Sequence, residues 1–318
     1  MKKIKWLILI LFCINTTLYA QLQWTNVDSL FQPLPSSIHV YKTTTLLDGK
    51  PNIAYYVTAD LRNKQLEFTT AVGNGKRYTP TQYFEQEGQR PLVVMNTTFF
   101  EFVRNSNLNV VIKDGQLLAY QQHTIAGRGK DTLTYRHPFG SAIGITKKRK
   151  ADIAWLYTDT AARYAYASQQ PIAFFKDSVA DPSASLMLQK GPFKKWKMQT
   201  AVGGGPVLIQ NGEIKITNNE EIKFAGKSIN DKHPRSAMGY TADGQLIFLA
   251  VEGRFPGKAE GATLTQLAQM LKDIGCTEAL NLDGGGSSCL LINGKQTIQP
   301  SDKEGQRAVP AVFIVRKR

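Results

Sequence analysis

Short apolar runs rich in β-branched and aromatic residues recur along most of the chain, separated by glycine, proline or polar turns. Runs of this composition predict β-strands. They cover residues 38–47, 53–61, 66–72, 92–95, 110–113, 142–146, 153–157, 207–210, 237–241, 246–251, 278–282, 289–292 and 311–315. Asn-Gly or Asp-Gly pairs, which favour hairpin turns, begin at positions 114, 211, 243 and 293.

Two segments carry the signals of α-helices instead. Apolar residues recur on one helical face from residue 264 to residue 274, Thr263 and Gln266 form a capping box, and Gly275 ends the segment. A shorter helix is predicted after Thr79, with Pro80 in its first turn. Because strands outnumber helices, we predict an α+β fold with a mixed, mostly antiparallel sheet core and a few helices, in a single domain. The polar residues 217–232 predict a loop or flap.

The first 20 residues have the pattern of a secretory signal peptide. Three lysines precede the apolar residues 6–14, and Ala20 offers a cleavage site. We therefore expect export to the periplasm or the cell exterior. The predicted organisation is a signal peptide over residues 1–20, lead-in strands over 21–52 that pack on the domain, and one domain over 53–318. No other segment is long and apolar enough to predict a membrane-spanning helix.

The chain carries a net charge of +14, and +11 remains once Lys2, Lys3 and Lys5 leave with the signal peptide. A basic protein favours anionic partners, such as phosphate-bearing glycans, nucleic acids or membrane surfaces. The basic clusters at 147–150 and 194–197 are short and separate, which is typical of solvated loops. Together with the predicted export, this argues against a nucleic-acid partner. The charge is compatible with a phosphate-linked or acidic glycan but does not select one.

Two cysteines remain after the signal peptide, Cys276 and Cys289. Export permits a disulfide. One cysteine precedes a predicted strand and the other begins the next, so in a hairpin the two would be several residues out of register. We therefore expect free, buried thiols. The sequence also contains no Cys/His spacing typical of a zinc site.

Residues 281–288, Asn-Leu-Asp-Gly-Gly-Gly-Ser-Ser, form the segment that most strongly indicates a site. A predicted strand ends in Asp283, three glycines and two hydroxyl residues follow, and another predicted strand begins. Glycine is needed where the backbone adopts a positive φ or lies close to another group. A tight turn would need only one Asp-Gly pair. Three glycines beside a carboxylate indicate instead a bound group pressed against bare backbone.

Five further polar or glycine-rich segments lie at the ends of predicted strands. Each alone is an ordinary loop. They are 96–100 (Asn-Thr-Thr-Phe-Phe), 203–206 (Gly-Gly-Gly-Pro), 233–236 (His-Pro-Arg-Ser), 251–254 (Val-Glu-Gly-Arg) and 307–310 (Arg-Ala-Val-Pro). Their joint presence with Asp283 indicates a single functional site.

In order and sequence these motifs resemble the phosphodiester glycosidase family, which includes many exported bacterial proteins and the lysosomal enzyme that removes a covering N-acetylglucosamine from mannose 6-phosphate. The resemblance runs from about residue 53 to residue 315, most of the predicted domain. The matching segments are 281–288, in full, together with 204–206, 235–239 and the pair Arg307 and Pro310. The chain departs from the family where Thr97 and Thr98 stand for two glycines and Glu252 for an aspartate.

The resemblance implies hydrolysis of a sugar-1-phosphodiester at the anomeric carbon, which releases the sugar and leaves a phosphomonoester. Such a reaction needs cations for the phosphate, a carboxylate for the anomeric centre and polar groups for the sugar hydroxyls. Asp283 is the predicted catalytic carboxylate, with Glu252 as its partner and His233 as a candidate acid or base. Arg235 and Arg307 are candidates for binding phosphate, and a structural salt bridge explains each of them equally well.

The other candidates would bind substrate. Asn96 and Ser287 would contact sugar hydroxyls or orient the carboxylate, and the glycines would present backbone N–H groups to an anion. The full set of predicted substrate-binding residues is Asn96, Arg235, Arg307, Gly204, Gly205, Gly284, Gly285, Gly286, Ser287 and Arg254.

We expect no required cofactor, although Asp283, Glu252 and Asn96 carry the oxygen ligands that Ca²⁺ or Mg²⁺ prefers. A second hypothesis is a non-catalytic polysaccharide-binding protein of the same fold, which the bulk of Thr97 and Thr98 favours. Nucleotide binding is disfavoured, because no phosphate-binding glycine motif follows a strand and opens a helix.

Overall fold

The computed structural model describes residues 22–88 and 90–318, so the predicted signal peptide and its cleavage site lie outside the described residues. The strands, in chain order, are β1 (Thr25–Asn26), β2 (Ile38–Thr43), β3 (Ala54–Asp60), β4 (Leu66–Val72), β5 (Pro91–Asn96), β6 (Phe100–Glu101), β7 (Ser106–Asn107), β8 (Val111–Lys113), β9 (Gln116–Ala119), β10 (Ile125–Ala126), β11 (Tyr135–His137), β12 (Gly140–Ile145), β13 (Ala151–Tyr157), β14 (Ala165–Ser168), β15 (Phe175–Asp177), β16 (Lys194–Trp196), β17 (Thr200–Gly203), β18 (Val207–Gln210), β19 (Glu213–Ile214), β20 (Arg235–Thr241), β21 (Gln245–Val251), β22 (Cys276–Asn281), β23 (Leu290–Ile292), β24 (Lys295–Gln296) and β25 (Ala311–Lys317). The helices are α1 (Pro80–Gln86), α2 (Ala184–Leu188), α3 (Asn218–Glu221) and α4 (Leu264–Ile274), with 3₁₀ turns at Asp28–Phe31, Gly226–Ile229 and Gly285–Ser287.

Antiparallel pairing joins most strands into three large sheets. Their strand orders are β1-β2-β3-β21-β20-β22-β18-β19, β16-β14-β13-β12-β17-β8-β9 and β24-β23-β5-β25-β4. Two small sheets, β10-β11-β15 and β6-β7, lie beside them. One hydrophobic core is shared by the inner faces of all three large sheets, with Phe248 from the eight-stranded, Trp155 from the seven-stranded and Phe313 from the five-stranded sheet.

The predicted α+β class is wrong, and the fold is mostly β. Strands make up about 40% and helices about 13% of the structure. The two predicted helices and their capping boxes are confirmed, but α1 and α4 have only seven and eleven residues. The rest of the core consists of strands that pair with one another, so the helices are too few and too short to balance the sheets as an α+β fold requires.

The Asn-Gly pairs form hairpin turns, as the sequence predicts. Asn211 and Gly212 have φ of 53° and 78° between β18 and β19, and Asn293 and Gly294 have φ of 48° and 74° between β23 and β24. The favoured two-residue turns need positive φ at both central positions, which asparagine and glycine tolerate. These turns therefore fix the registers of their strands.

Helix α4 packs on the eight-stranded sheet. The Thr263 hydroxyl accepts a hydrogen bond from Gln266 N, and Gln266 Oε1 accepts one from Thr263 N, which closes the first turn. Leu264 and Leu271 on its apolar face are fully buried in a cluster with residues of β18, β20 and β22. Burying one such leucine contributes roughly 1.5–3 kcal/mol. The helix thus fixes β22, the strand that leads to Asp283.

Residues 281–288 do not close a hairpin. Strand β22 belongs to the eight-stranded sheet and β23 to the five-stranded sheet, so this segment carries the chain from one sheet to another. Cys276 and Cys289, at its two sides, are free and buried, which confirms the expectation for the thiols.

The lead-in strands β1 and β2 extend the eight-stranded sheet at one edge. Strand β2 pairs with β3 from Ile38 opposite Ala59 to Thr43 opposite Ala54. In the ranges that the structure describes, no helix has the length and apolar character needed to cross a bilayer.

Candidate active site

Segments from all three large sheets meet at residues 281–288, called here the glycine loop. Residues 204–206 connect β17 to β18 beside it, and residues 97–99 follow β5. Three backbone hydrogen bonds join these segments: Gly205 N to Asn281 O (2.7 Å), Leu282 N to Ser236 O (2.8 Å) and Asp283 N to Thr97 O (2.8 Å). The structure therefore brings together the motifs 96–100, 203–206, 233–236 and 281–288.

Asn96 connects three of these segments and is fully buried. Its Nδ2 donates to the backbone oxygen of Asp283 at 2.6 Å. Its Oδ1 accepts from the Ser236 hydroxyl at 2.7 Å and from Cys289 N at 3.0 Å. Since both ends of the amide are engaged by protein groups, Asn96 positions Asp283 and is not free to bind a sugar hydroxyl.

The Asp283 carboxyl titrates near neutral pH. Burial raises the pKa of Asp283 to about 7, and four neighbours oppose the rise. The Ser287 hydroxyl and the Gly284 N–H bond to the carboxyl, and the charges of Arg307 and Lys223 favour its ionised form. A pKa in this range suits a group that must be both ionised and able to exchange a proton. Ser287 is thus placed to orient the carboxylate.

The glycines allow neighbouring side chains to lie against bare backbone. A Cβ on Gly286 would lie 2.1 Å from Asp302 Oδ1 and 2.2 Å from Arg307 Nη2. A Cβ on Gly205 would lie 2.4 Å from Glu221 Oε2. The groups that press on the backbone here are therefore protein side chains.

Most of the glycine N–H groups are already bonded within the protein. Gly204, Gly205 and Gly285 donate to backbone carbonyls, and Gly284 donates to the Asp283 carboxyl. The expected cradle of free N–H groups for an anion is therefore not formed at these four positions, because the loops use the donors to fix their own conformation.

Arg307 forms a bidentate ion pair with Asp302. Its Nε and Nη2 lie 2.7 and 3.0 Å from the two carboxylate oxygens. Its Nη1 lies 3.5 Å from Ser287 Oγ. The salt-bridge interpretation therefore holds for Arg307, with one side of the guanidinium turned to the glycine loop.

Arg235 is buried and held by backbone carbonyls. Its Nε donates to Ala262 O and its Nη2 to Asp231 O, both at 2.9 Å. In residues 22–88 and 90–318 it forms no ion pair with a carboxylate, so the salt-bridge interpretation does not apply. Burial, with the nearby charge of Arg254, lowers the pKa of Arg235 to about 10. A positive charge is thus fixed here without a directly paired carboxylate in the described residues, although the charge of Asp231 acts on it.

Arg254 and His233 lie on the outer side of the same cluster. Arg254 is exposed, and its Nη2 would lie 2.9 Å from a Cβ on Gly285. Burial lowers the pKa of His233, and the charges of Arg235 and Arg254 lower it further. The imidazole is therefore neutral at neutral pH, which suits a base better than an acid.

Glu252 lies apart from Asp283. It follows β21, whereas Asp283 follows β22, and β20 runs between the two strands. Two strand spacings separate their backbones by about 10 Å. Glu252 Oε1 lies 3.1 Å from Lys258 Nζ, and Oε2 accepts from Gln299 N at 2.8 Å. The proposed second carboxylate is therefore already engaged by protein groups.

The predicted metal ligands Asp283, Glu252 and Asn96 do not form an open site. Asn96 Oδ1 already accepts two hydrogen bonds, and Glu252 is ion-paired. Within the described part of the chain, no group of three or more His, Cys, Asp or Glu residues is placed to hold a metal ion.

Lys223, which no sequence motif marks as a site residue, also belongs to this cluster. It follows α3 in the segment predicted as a loop or flap, and its ammonium lies 5.1 Å from the centroid of the Phe99 ring. Burial lowers the pKa of Lys223, and the charges of Glu221 and Asp283 oppose this fall. Lys223 in turn favours the ionised form of Asp283, so the two groups lie within electrostatic range. Three lysines occur in this polar segment, and nothing in the sequence distinguishes Lys223 from the other two.

Comparison with known proteins defines the family. The sequence profile described as "Phosphodiester glycosidase" matches residues 89–316, more than half of the chain. The chain belongs to the phosphodiester glycosidase family. Family members are hydrolases, so the hydrolase prediction is confirmed at the level of the family.

Two relatives of this phosphodiester glycosidase match by sequence. The chain is 33% identical over 103 residues to N-acetylglucosamine-1-phosphodiester alpha-N-acetylglucosaminidase of Mus musculus. This match covers 30% of this chain and 20% of the mouse protein. It is 39% identical over 86 residues to an uncharacterized SPbeta prophage-derived protein of Bacillus subtilis, covering 27% and 13% of the two chains. The matches thus span at most about a fifth of these relatives.

Two solved structures share the fold. The catalytic domain of zebrafish N-acetylglucosamine-1-phosphodiester alpha-N-acetylglucosaminidase, auto-inhibited by its pro-peptide, has a TM-score of 0.59 and 22% identity, over 90% of this chain and 85% of that chain. A hypothetical protein from Synechocystis has a TM-score of 0.59 and 18% identity, over 93% and 68%. At these identities the likeness supports the fold alone.

The departure from the family motif at Thr97 and Thr98 adds bulk away from the glycine loop. The Thr97 hydroxyl donates to Ala311 O in β25 at 3.2 Å, and the Thr98 hydroxyl donates to Asn107 in β7. Both threonines are buried. The two side chains are therefore part of the packing between strands, which removes the main argument for a non-catalytic binding protein.

Proposed function

We propose that this phosphodiester glycosidase is an exported hydrolase that cleaves a sugar-1-phosphodiester, in a glycan linkage of the N-acetylglucosamine-1-phosphate type. The observation that carries the proposal is the placement of the Asp283 carboxyl among cations, with Arg235 against Gly284 and Nη1 of Arg307 at Ser287. Arg235 has no carboxylate partner among the described residues. A single carboxylate among several cations suits an anionic substrate whose reacting centre becomes positive. The name of the mouse relative supports the choice of sugar.

In the proposed reaction the bond from the anomeric carbon to the phosphate oxygen breaks. The phosphomonoester departs with the electron pair and needs no proton, since its oxygen is stable as an anion. The Asp283 carboxylate stabilises or attacks the positive anomeric centre, and Arg235 with Nη1 of Arg307 binds the phosphate. Water supplies the hydroxyl of the released sugar, and its proton is taken up by the carboxylate or by solvent.

The test is release of free N-acetylglucosamine from UDP-N-acetylglucosamine by the wild type and by Asp283→Ala. We expect turnover by the wild type and a rate of release that is lower by about 10²-fold or more in the folded Asp283→Ala variant, because the carboxylate acts at the reacting centre. An inert wild type, also inert on other sugar-1-phosphodiesters, would contradict the proposal and favour the polysaccharide-binding alternative.

The proposed export rests on the lysine-rich start and apolar stretch of residues 1–20. Expression of the full chain in a Gram-negative host, with mass spectrometry of the purified protein, tests it. We expect a product that begins at Gln21 in the periplasm. An unprocessed chain in the cytoplasm would contradict export.

A further inference from the structure

The segment 217–224 is anchored by a carboxylate that is buried in the core. Glu221 is about 1% exposed, and five donors surround its two oxygens. The donors are Ser141 N (3.1 Å), Ser141 Oγ (2.8 Å), Trp155 Nε1 (3.1 Å), Val207 N (3.1 Å) and Thr217 Oγ1 (2.7 Å). A carboxylate has about four lone-pair positions, so these donors saturate Glu221.

This anchor fixes the next two residues against the active site. Ile222 adopts the left-handed conformation, with φ of 50° and ψ of 44°, and turns the chain back. The side chain of Lys223 then passes over Gly205, whose missing Cβ would lie 2.6 Å from Lys223 Cε. Any larger residue at position 205 would occupy this space. The glycine thus leaves room for the lysine beside Asp283.

The ammonium of Lys223 has no carboxylate within ion-pair distance in the parts of the chain that the structure describes. The oxygens of Glu221 are saturated by other donors, and the charges of Glu221 and Asp283 act on the Lys223 ammonium without an ion-pair contact. The ammonium lies 5.1 Å from the centroid of Phe99, which packs edge-on against Phe224 at 6.0 Å. Arg235 lies 5.8 Å from the other ring of this pair.

Two cations without a carboxylate partner in the described residues, Lys223 and Arg235, therefore stand at opposite ends of an aromatic pair next to Asp283. Arg307 differs, because Asp302 already neutralises much of its charge. A fixed cation without a counter-ion gains most from an anionic ligand, since burial has already removed part of its water shell.

We propose that Lys223 binds a non-bridging oxygen of the scissile phosphodiester and is a substrate-contacting catalytic residue. This proposal rests on the proposed function, for which it specifies the phosphate-binding cation. In this role Lys223 acts as the ammonium ion and transfers no proton to the substrate. When the bond to the anomeric carbon breaks, the phosphate gains a second negative charge, and the ammonium stabilises this charge more in the transition state than in the bound substrate.

The test compares Lys223→Met with Lys223→Arg and with Lys147→Met, which removes an exposed lysine in the turn between β12 and β13. Two substrates of the same sugar are used: UDP-N-acetylglucosamine and an uncharged nitrophenyl glycoside. We expect Lys223→Met to lose about 10²-fold in kcat/KM on the phosphodiester and less than about threefold on the nitrophenyl glycoside. Lys223→Arg should recover part of the loss, and Lys147→Met should resemble the wild type.

An equal loss on both substrates would overturn the proposal, because Lys223 would then act only on Asp283. An unchanged rate in a folded Lys223→Met variant would also overturn the proposal.

A second measurement needs no turnover and separates this proposal from the proposed function. Inorganic phosphate should raise the Tm of the wild type and of Lys147→Met but not of Lys223→Met. If the wild type is inert on both substrates yet shows this difference, the hydrolase proposal fails and phosphate binding by Lys223 stands. An equal rise in all three proteins would contradict Lys223 as the phosphate-binding residue.

Discussion

The ionisation of Asp283 is set by a balance between burial and its immediate neighbours. Burial favours the neutral carboxyl, whereas Ser287, Gly284, Arg307 and Lys223 favour the carboxylate. Such a group contributes to catalysis and works against stability when it is ionised.

Replacement of Asp283 by Asn should raise the stability above pH 7. The pKa of Asp283 in the folded state, about 7, lies above the ordinary value of 3.8 for aspartate, so the folded protein binds the proton more tightly. The contribution of Asp283 to stability is therefore present below about pH 4 and is lost as the pH rises to about 7. We expect Asp283→Asn to have the higher Tm at pH 8 and to lose most activity.

Thermal unfolding of both proteins from pH 4 to pH 8 measures this difference. Asp181→Asn, at an exposed site without a side-chain hydrogen bond in the described residues, is the control. A Tm of Asp283→Asn below that of the wild type at pH 8 would show that the ionised carboxyl stabilises the fold.

The rate of hydrolysis should depend on the same ionisation. If Asp283 acts as a carboxylate, kcat/KM rises with pH and levels off above about pH 7, the pKa of the group in the free enzyme. The pH–rate profile of the wild type on UDP-N-acetylglucosamine measures this. A rate that falls through the same pH range would require the protonated carboxyl instead.

Single residues differ in how far the sequence predicts them. Asp283 is predictable because three adjacent glycines are more than an ordinary turn between two strands requires. The partners of Asn96 and the position of Lys223 depend on contacts between segments more than 100 residues apart in the chain, and no local pattern encodes such contacts.

At the scale of elements, the glycine loop and the segment 217–224 form the site. Each of the two segments is held in place by contacts with the rest of the fold. The loop is closed by bonds to β20 and to the segment after β5. The segment 217–224 depends on the buried Glu221. Elements with clear caps and turns, such as α4, are predicted with their bounds, whereas this segment lacks such signals.

Glu221→Gln should release the segment 217–224. The amide replaces one acceptor oxygen with a donor, so at least one of the five surrounding donors loses its partner, at a cost of about 1–3 kcal/mol. We expect a lower Tm and a loss of sugar-1-phosphodiester hydrolysis, since Lys223 is no longer held. Thermal unfolding and kcat/KM on UDP-N-acetylglucosamine measure the two effects.

The matched control is Glu220→Gln, the preceding residue, which has no side-chain hydrogen bond in the described residues. It should leave both quantities unchanged. Equal effects of the two substitutions would mean that the segment does not depend on the buried carboxylate.

The whole molecule is a set of antiparallel sheets around one core, with the site where three sheets meet. The sequence predicts most of the strands, because their apolar runs and turns are local. It does not predict which strands share a sheet, for example that β22 and β23 belong to different sheets. Pairing between distant strands depends on the packing of the core, which local sequence does not specify.

The net positive charge should make substrate capture depend on salt. The screening length is about 8 Å at a physiological ionic strength of 0.15 M, and charges farther apart than this interact little. We expect KM for UDP-N-acetylglucosamine to rise several-fold from low to physiological salt. The uncharged nitrophenyl glycoside is the control, and an equal change in its KM would exclude a contribution from the charge of the substrate.

The most direct test of the proposed chemistry is to identify which bond breaks. The wild type is incubated with UDP-N-acetylglucosamine in H₂¹⁸O, and the phosphomonoester product is analysed by mass spectrometry. Attack at the anomeric carbon by water leaves all phosphate oxygens unlabelled, and this is the predicted result. Incorporation of ¹⁸O into the phosphate would mean that water attacks phosphorus, and would contradict a glycosidase with Asp283 at the anomeric centre.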